Sequence, residues 1–277
     1  MPALDIYSQH LAGLIKARGS ADFPERLVAM LRALVPVDDA SIIVYPERDL
    51  PVIEYFELQD GGEGSTLDIF TKGAFLLDPF YLAGTRDHRF GVFRLRDLSP
   101  TGFRDSEYYR TWYRNSGFED ECGFVIPLSD EGFVNIALGK TATRATFTKR
   151  ERTVLEDVYP TVEALCQAHW QPQDGGDGIN LRAKLHNALE SFGSSLLTER
   201  ETQVINLVLH GHSTKTVAEQ LSISMETVKL HRKHAYAKLE VSSQAELFYL
   251  FLDSLMSAQD YDGGDTLVAY MQPPQRN

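Results

Sequence analysis

The stretch from Leu197 to Leu239 constrains this chain more than any other, because three helix starts follow one another with almost nothing between them. Thr198 and Glu201 have the spacing of a capping box, in which side chain and backbone satisfy each other's free amides. Val204, Ile205, Val208 and Leu209 then recur at helical spacing until Gly211 stops the run. Ser213 caps a second helix with Val217, Ala218 and Leu221 facing inward, and Ser224 caps a third. Only Ser222 and Ile223 lie between the second helix and the third cap. So short a turn excludes antiparallel packing, and the two helices must cross steeply as a helix-turn-helix.

On the third helix, Val228, Arg232, Ala235 and Leu239 fall on one stripe at 100° per residue, and Glu226, Lys229, Leu230 and Lys233 on the opposite one. An outward stripe with two lysines and a leucine suits the major groove of DNA. Lysines reach guanine acceptors or phosphates, and a leucine touches a thymine methyl. Thr227, His231 and the head of Arg232 lie at the margins of that stripe, and Lys215 lies near the start of the preceding helix, where phosphates would pass. The expected DNA contacts are therefore Lys215, Thr227, Lys229, Leu230, His231, Arg232 and Lys233.

These residues resemble the LuxR/FixJ-type DNA-binding domain: Leu197-Thr198-x-Arg200-Glu201, the run from Gly211 through Thr227-Val228-Lys229-x-His231, and Lys238-Leu239-x-Val241. The likeness covers about a quarter of the chain, with two departures. Glu240 stands where the family usually has glycine, which predicts a helix end without a left-handed residue, and Gln244 where it often has arginine. The resemblance implies a transcriptional regulator that binds double-stranded DNA, with the final helix pairing across a two-fold axis so that two copies read an inverted repeat.

Charge is distributed to match. The net charge of −12 is unusual for a nucleic-acid binder, but residues 1–170 hold 18 Lys/Arg against 26 Asp/Glu, while residues 181–255 hold 8 against 8. Cys122 and Cys166 are the two cysteines, read as buried structural thiols of a reduced, cytoplasmic protein. There is no apolar run of membrane-spanning length and no signal-type leader.

The N-terminal part alternates helix and strand patterns. Leu4, Tyr7, Leu11 and Leu14 mark one amphipathic helix, and Phe23, Leu27, Met30, Leu31 and Leu34 a second. Strand patterns run over 41–45, 52–58, 91–95, 122–128 and 132–138, the last two forming a hairpin. Helices are expected after the glycines at 61–64 towards Asp78-Pro79, over 106–114, and from a second capping box at Thr148 to Trp170. The expected fold class is α+β: an N-terminal α/β/α sandwich of residues 1–170, a linker at 171–178, an all-α helix-turn-helix domain at 179–256, and a loose tail at 257–277. An extra helix at 179–192 would lead into the DNA-binding domain.

The order of N-terminal elements resembles GAF/PAS-type sensors and, with Asp78-Pro79 and the run Gly117 to Leu128, the LuxR autoinducer-binding domain. The positions where the acyl-homoserine-lactone site carries tryptophan and tyrosine are Ser65 and Ile69 here, so lactone sensing is the less favoured version. Asp78, Phe80, Tyr81, Phe93, Tyr109, Trp112, Tyr113 and Glu121 gather rings near carboxylates, which suits a small cationic or aromatic effector. The competing reading makes these rings plain core and gives control of the regulator to a protein partner. No cofactor is implied. The sequence contains no P-loop, G-x-S-x-G or H-E-x-x-H motif and no Cys/His cluster of zinc spacing, so neither catalytic nor metal-binding residues are expected. The last helix, from Ser243, carries Leu247, Phe248, Leu250, Phe251, Leu252 and Leu255 around more than half its circumference, which predicts a homodimer contact.

Overall fold

The computed structural model describes residues 3–47, 50–57, 70, 74–111, 113–128, 132–142, 145–170, 187–257 and 264–271. In chain order the elements are α1 (Ala3–Ala17), α2 (Phe23–Leu34), β1 (Asp39–Tyr45), β2 (Val52–Phe56), α3 (Pro79–Thr85), β3 (Gly91–Arg94), α4 (Leu95–Leu98), α5 (Glu107–Thr111), β4 (Asp120–Pro127), β5 (Phe133–Lys140), α6 (Lys149–His169), α7 (Glu199–Leu209), α8 (Thr214–Leu221), α9 (Met225–Lys238), α10 (Gln244–Ser257) and α11 (Thr266–Met271). They divide into two compact units. The first gathers Met1–Gly62, Pro79–Leu98 and Gly117–Ile179, the second Glu63–Asp78, Ser99–Ser116 and Asn180–Asn277.

The first unit is built on an antiparallel sheet of order β2-β1-β5-β4-β3. Strand side chains alternate between faces. On one face Ala40, Ile42, Val44, Val92, Cys122, Phe124, Ile126, Val134, Ile136 and Leu138 form a core with α1, α2 and α6. Pro24 in the first turn of α2 presets its start, and Phe23, Leu27, Met30 and Leu31 bury their stripe there. The capping box of α6 is present with both bonds, Thr148 to the Glu151 amide and Glu151 back to the Thr148 amide. Leu155, Val162 and Cys166 turn inward from it. Both cysteines are buried and free, and burial pushes the Cys122 thiol up to about 12, which keeps it protonated. The second face of the sheet is packed by α3, against β4 and β5.

The second unit holds α7 to α10 and α11. Each predicted cap is made: Thr198 and Glu201 form the reciprocal pair, Ser213 accepts from the Thr216 amide and Ser224 from the Thr227 amide. Ser222 takes a left-handed backbone, φ 53°, which lets α8 and α9 meet across so few residues. Val204, Ile205, Val217, Val228, Ala235 and Leu239 close the helical core.

Four expectations change. The helix over 106–114 is shorter, α5 followed by a 3-10 turn at Tyr113–Ser116. Glu240 adopts the left-handed conformation, φ 57°, that was expected only with glycine, because α9 must reverse here towards α10. The tail is not all loose: α11 forms within it, Leu267 is buried and the Thr266 hydroxyl bonds that of Ser254 at 3.0 Å. Finally, the apolar side of α10 is covered within the chain. Leu247, Phe248, Phe251, Leu252 and Leu255 are buried, with Phe251 edge-on to Phe192 at 5.4 Å. Among the α10 residues whose burial is described, the surplus apolar surface that argued for a dimer is reduced to Tyr249 and half-buried Leu250. The linker at 171–178, residues 179–186 of the leading helix, and the stretch at 61–69 lie outside the described residues, while 187–191 are helical.

Glu201 ties this unit together. It is buried, its Oε2 2.6 Å from Lys238 Nζ, so one carboxylate joins the first turn of α7 to the last of α9. Burial alone would raise its pKa, but the hydrogen bonds from Lys238 and Thr198 outweigh burial and hold the carboxyl down at about 2. A carboxyl depressed on folding stabilises above its unfolded pKa of 4.5 and loses that contribution as pH falls towards 2. The expected contribution is on the order of 3 kcal/mol. Glu201→Gln should lower stability at neutral pH and flatten the acid limb between those two values. Equal acid sensitivity of the variant and the parent in urea melts would show that the pair does not set it.

Candidate functional site

The reading face is laid out on α9. Met225, Glu226, Lys229, Leu230, Lys233, His234 and Ala237 are exposed, while Val228, Ala235 and Leu239 are buried. Leu230 is 51% exposed, on the side of the helix away from the core. Thr227, His231 and Arg232 are half-buried at the margins, and Lys215 is exposed on α8. All seven expected DNA-contact residues are thus accessible in whole or in part. Their cations differ in freedom: Lys229 pairs with Glu226 at 2.7 Å, Lys215 with Glu219 at 3.9 Å, and exposed Lys233 has no ion pair among the described residues. The Thr227 hydroxyl lies 2.8 Å from that of Ser224, so the cap fixes its rotamer.

The eight ring and carboxylate residues expected to hold an effector fall into two sets, and Trp112 lies outside the described residues. Phe80, Tyr81, Phe93 and Glu121 belong to the sheet unit. By strand alternation Phe93 and Glu121 point to the second sheet face. Phe80 covers Gly123 there: a Cβ at Gly123 would come within 2.9 Å of its ring. Tyr81 joins Tyr45 and Phe133 in a ring cluster at the β5 start, with centroids 5.2 and 6.1 Å away. The Arg89 guanidinium lies over the Phe93 ring at 4.8 Å, so this ring already faces a cation of the protein. Asp78, Tyr109 and Tyr113 belong to the other unit, where Asp78 accepts from the Tyr108 hydroxyl at 2.6 Å and Tyr109 stacks on Tyr113 at 5.3 Å.

Sequence reasoning missed three residues of the second face. Asp39 pairs across β5 at Gly139, which pairs in turn with Glu121, so two buried carboxylates flank one glycine. The Phe118 ring lies on Gly139, closer than any Cβ there could tolerate. Burial, with the Glu57 charge adding, raises the Asp39 carboxyl to about 6. Asn135, also buried, donates to the Phe124 carbonyl at 3.2 Å. The signal was available: Asp39, Ser41, Ile43 and Tyr45 share one parity, and a carboxylate in a buried parity set is a perturbed group. Glu57, by contrast, is held down by Arg32, Tyr55 and the Ala40 amide and closes the sheet edge. Among the described residues no group of three or more His, Cys, Asp or Glu could hold a metal ion.

Residues 195–251, which include the three capped helices and α10's start, match the model of the luxR family of bacterial regulatory proteins. A protein of Aeromonas salmonicida, described as an HTH-type transcriptional regulator in the exeN 3′ region, is 37% identical over 189 residues, 65% of this chain and 96% of its own length. The chain belongs to the LuxR family. It is a transcriptional regulator whose C-terminal helix-turn-helix binds DNA. The monoamine regulon transcriptional regulator of Klebsiella aerogenes is 32% identical over 144 residues, 52% of this LuxR-family chain and 55% of that one. Among solved structures, the LBD domain of VqsR from Pseudomonas aeruginosa is similar in fold with a TM-score of 0.52 and 26% identity, over 59% of this chain and 95% of that one. No helix among the described residues is long and apolar enough to cross a membrane.

Proposed function

We propose that the sheet unit binds a small organic effector on its second face, and that occupancy sets how well α9 reads DNA. The observation that carries this is the composition of that face: the buried carboxylates of Asp39 and Glu121 flank Gly139 beside the Phe118 ring, Phe80 and Phe93 lie at Gly123, and buried Asn135 stands two residues along β5 from Phe133, whose ring neighbours that of Tyr81. A few polar groups within an aromatic wall is how small-molecule sites combine burial with orientation. The likeness to the VqsR LBD, whose name marks it as ligand-binding, supports the same reading. Carboxylates beside rings suit an effector that is cationic, aromatic or both. Asp78, Tyr109 and Tyr113 are left out of this set because they belong to the other unit.

On the reading side, Lys229, Leu230 and Lys233 meet base edges and Lys215, Thr227, His231 and Arg232 the phosphates. The regulator acts in the cytoplasm, catalyses no reaction, and reads an inverted repeat as a homodimer. With most of α10 covered, the stripe left for pairing is Ala245, Glu246, Tyr249, Leu250 and Asp253.

A thermal-shift screen of the full chain against amines and aromatic metabolites tests the effector. A compound at about 100 times its Kd should add ~2.7 kcal/mol of stability. Asp39→Asn with Glu121→Gln should remove that gain, and the compound should change affinity for a DNA duplex. If no compound stabilises the chain, control by a protein partner replaces this reading. Sedimentation of the same samples checks the pairing stripe, since Tyr249→Glu should yield monomers.

A further inference from the structure

Ser99–Ser116 belongs to the same compact unit as the helix-turn-helix, and it docks where α7 turns into α8. The Ser213 amide, at the N-cap of α8, donates to the Thr101 carbonyl at 2.7 Å. Two glycines in left-handed conformations let the backbones meet there, Gly102 at φ 101° and Gly211 at φ 81°. A Cβ at Gly102 would lie 2.9 Å from the Ser213 nitrogen and 3.1 Å from the Gly211 carbonyl oxygen. A Cβ at Gly211 would lie 3.1 Å from the Ser106 Cβ. The docked segment is itself braced. The Phe103 ring is buried against Tyr108, Tyr109 and Tyr113, and the Ser106 hydroxyl donates to the Phe103 carbonyl at 2.6 Å.

We infer that Thr101–Ser106 is an intramolecular clamp on the phosphate-facing end of the helix-turn-helix, and that DNA binding requires its release. The first helix of such a motif crosses the DNA backbone, and a helix N-terminus with its free amides is where a phosphate oxygen settles. The Ser213 N–H cannot serve both the Thr101 carbonyl and a phosphate. The Gly102 backbone, in contact with Ser213 and Gly211, occupies the approach. The segment is also tethered on both sides, following α4 and preceding β4, so a change in the sheet unit can pull on it through the chain. The inference rests on DNA binding by the helix-turn-helix and is independent of which effector the sheet unit takes.

The test uses the full chain and Gly102→Ala, with Phe103→Leu as a second variant that loosens the brace. Hydrogen exchange of the Ser213 amide reports docking, and titration of a mixed-sequence DNA duplex at fixed salt, without added effector, reports reading. Both variants should speed exchange at Ser213 and tighten DNA binding, by about five- to 150-fold if the clamp has the usual size of a coupling between sites. Faster exchange with unchanged or weaker DNA binding overturns the clamp. So does unchanged exchange in a folded variant, because the contact would then not be holding that amide. If Gly102→Ala fails to fold, Phe103→Leu decides alone.

Discussion

Phe251→Ala is expected to destabilise the second unit by ~3–5 kcal/mol, the range for deleting a fully buried phenyl ring. Phe251 has no exposed surface and meets Phe192 edge-on, and the same side of α10 contributes buried Leu247 and Leu255. Leu267 of α11 is likewise fully buried, held near by the Ser254–Thr266 hydroxyl bond. Truncation would leave a cavity between the segment at 187–192, α10 and its surroundings that such side chains cannot collapse to fill. Urea melts of the full chain should show a lower midpoint with an unchanged slope. Tyr249→Ala, on the exposed side of the same helix, should stay within about 0.5 kcal/mol. A loss under about 1 kcal/mol at Phe251, accompanied by a change in sedimentation, would mean that two copies share this face instead.

That expectation narrows what the isolated sequence implies about α10, and the reason is physical. Six apolar residues on one helix announce that the helix is covered, but not by what. Leu267 and Phe192 are fifteen or more residues away from the helix centre or reach it only in three dimensions, so no local pattern assigns them. Local chemistry was legible by comparison. The capping boxes at Thr148 and Thr198, the single caps at Ser213 and Ser224, and the hairpin of β4 and β5 all depend on residues a few positions apart, and all formed. The α+β class and the helix-turn-helix follow from those elements.

The second sheet face was half legible. Rings and carboxylates could be counted, but sharing a face depends on strand register, and register is a long-range property. Glu121 and Phe93 were grouped because they lie near other rings in sequence, and the register puts both on the second face. Asp39 was not, since only its pairing through Gly139 puts it opposite Glu121. Asp78, Tyr109 and Tyr113 were grouped with that face by sequence proximity, whereas the contacts assign them to the unit that holds the helix-turn-helix. Glu240 shows the same limit on a smaller scale: the need to reverse the chain after α9 outweighs the roughly 1–2 kcal/mol that a left-handed backbone costs a residue with a Cβ.

Lys233→Ala should cost ~1–3 kcal/mol of operator binding and relax specificity at one base pair, because an exposed, unpaired lysine in the middle of the reading stripe can present its ammonium to a guanine edge. Lys229→Ala should cost less, since its ammonium must first leave Glu226, although an exposed pair of this kind holds it by no more than ~1 kcal/mol. Lys215→Ala should behave differently. It lies at the start of α8 and is proposed to meet phosphates, so its loss should weaken all sequences about equally and reduce the slope of log affinity against log salt by about 1. The contrast between sequence-dependent and sequence-independent loss is the decisive quantity, and it is best measured in variants that already carry Gly102→Ala, where the clamp no longer competes with DNA. If Lys233→Ala lowers affinity for every duplex by the same factor, Lys233 meets a phosphate rather than a base edge. Base readout would then have to come from Leu230 and the neighbouring exposed residues Met225 and His234.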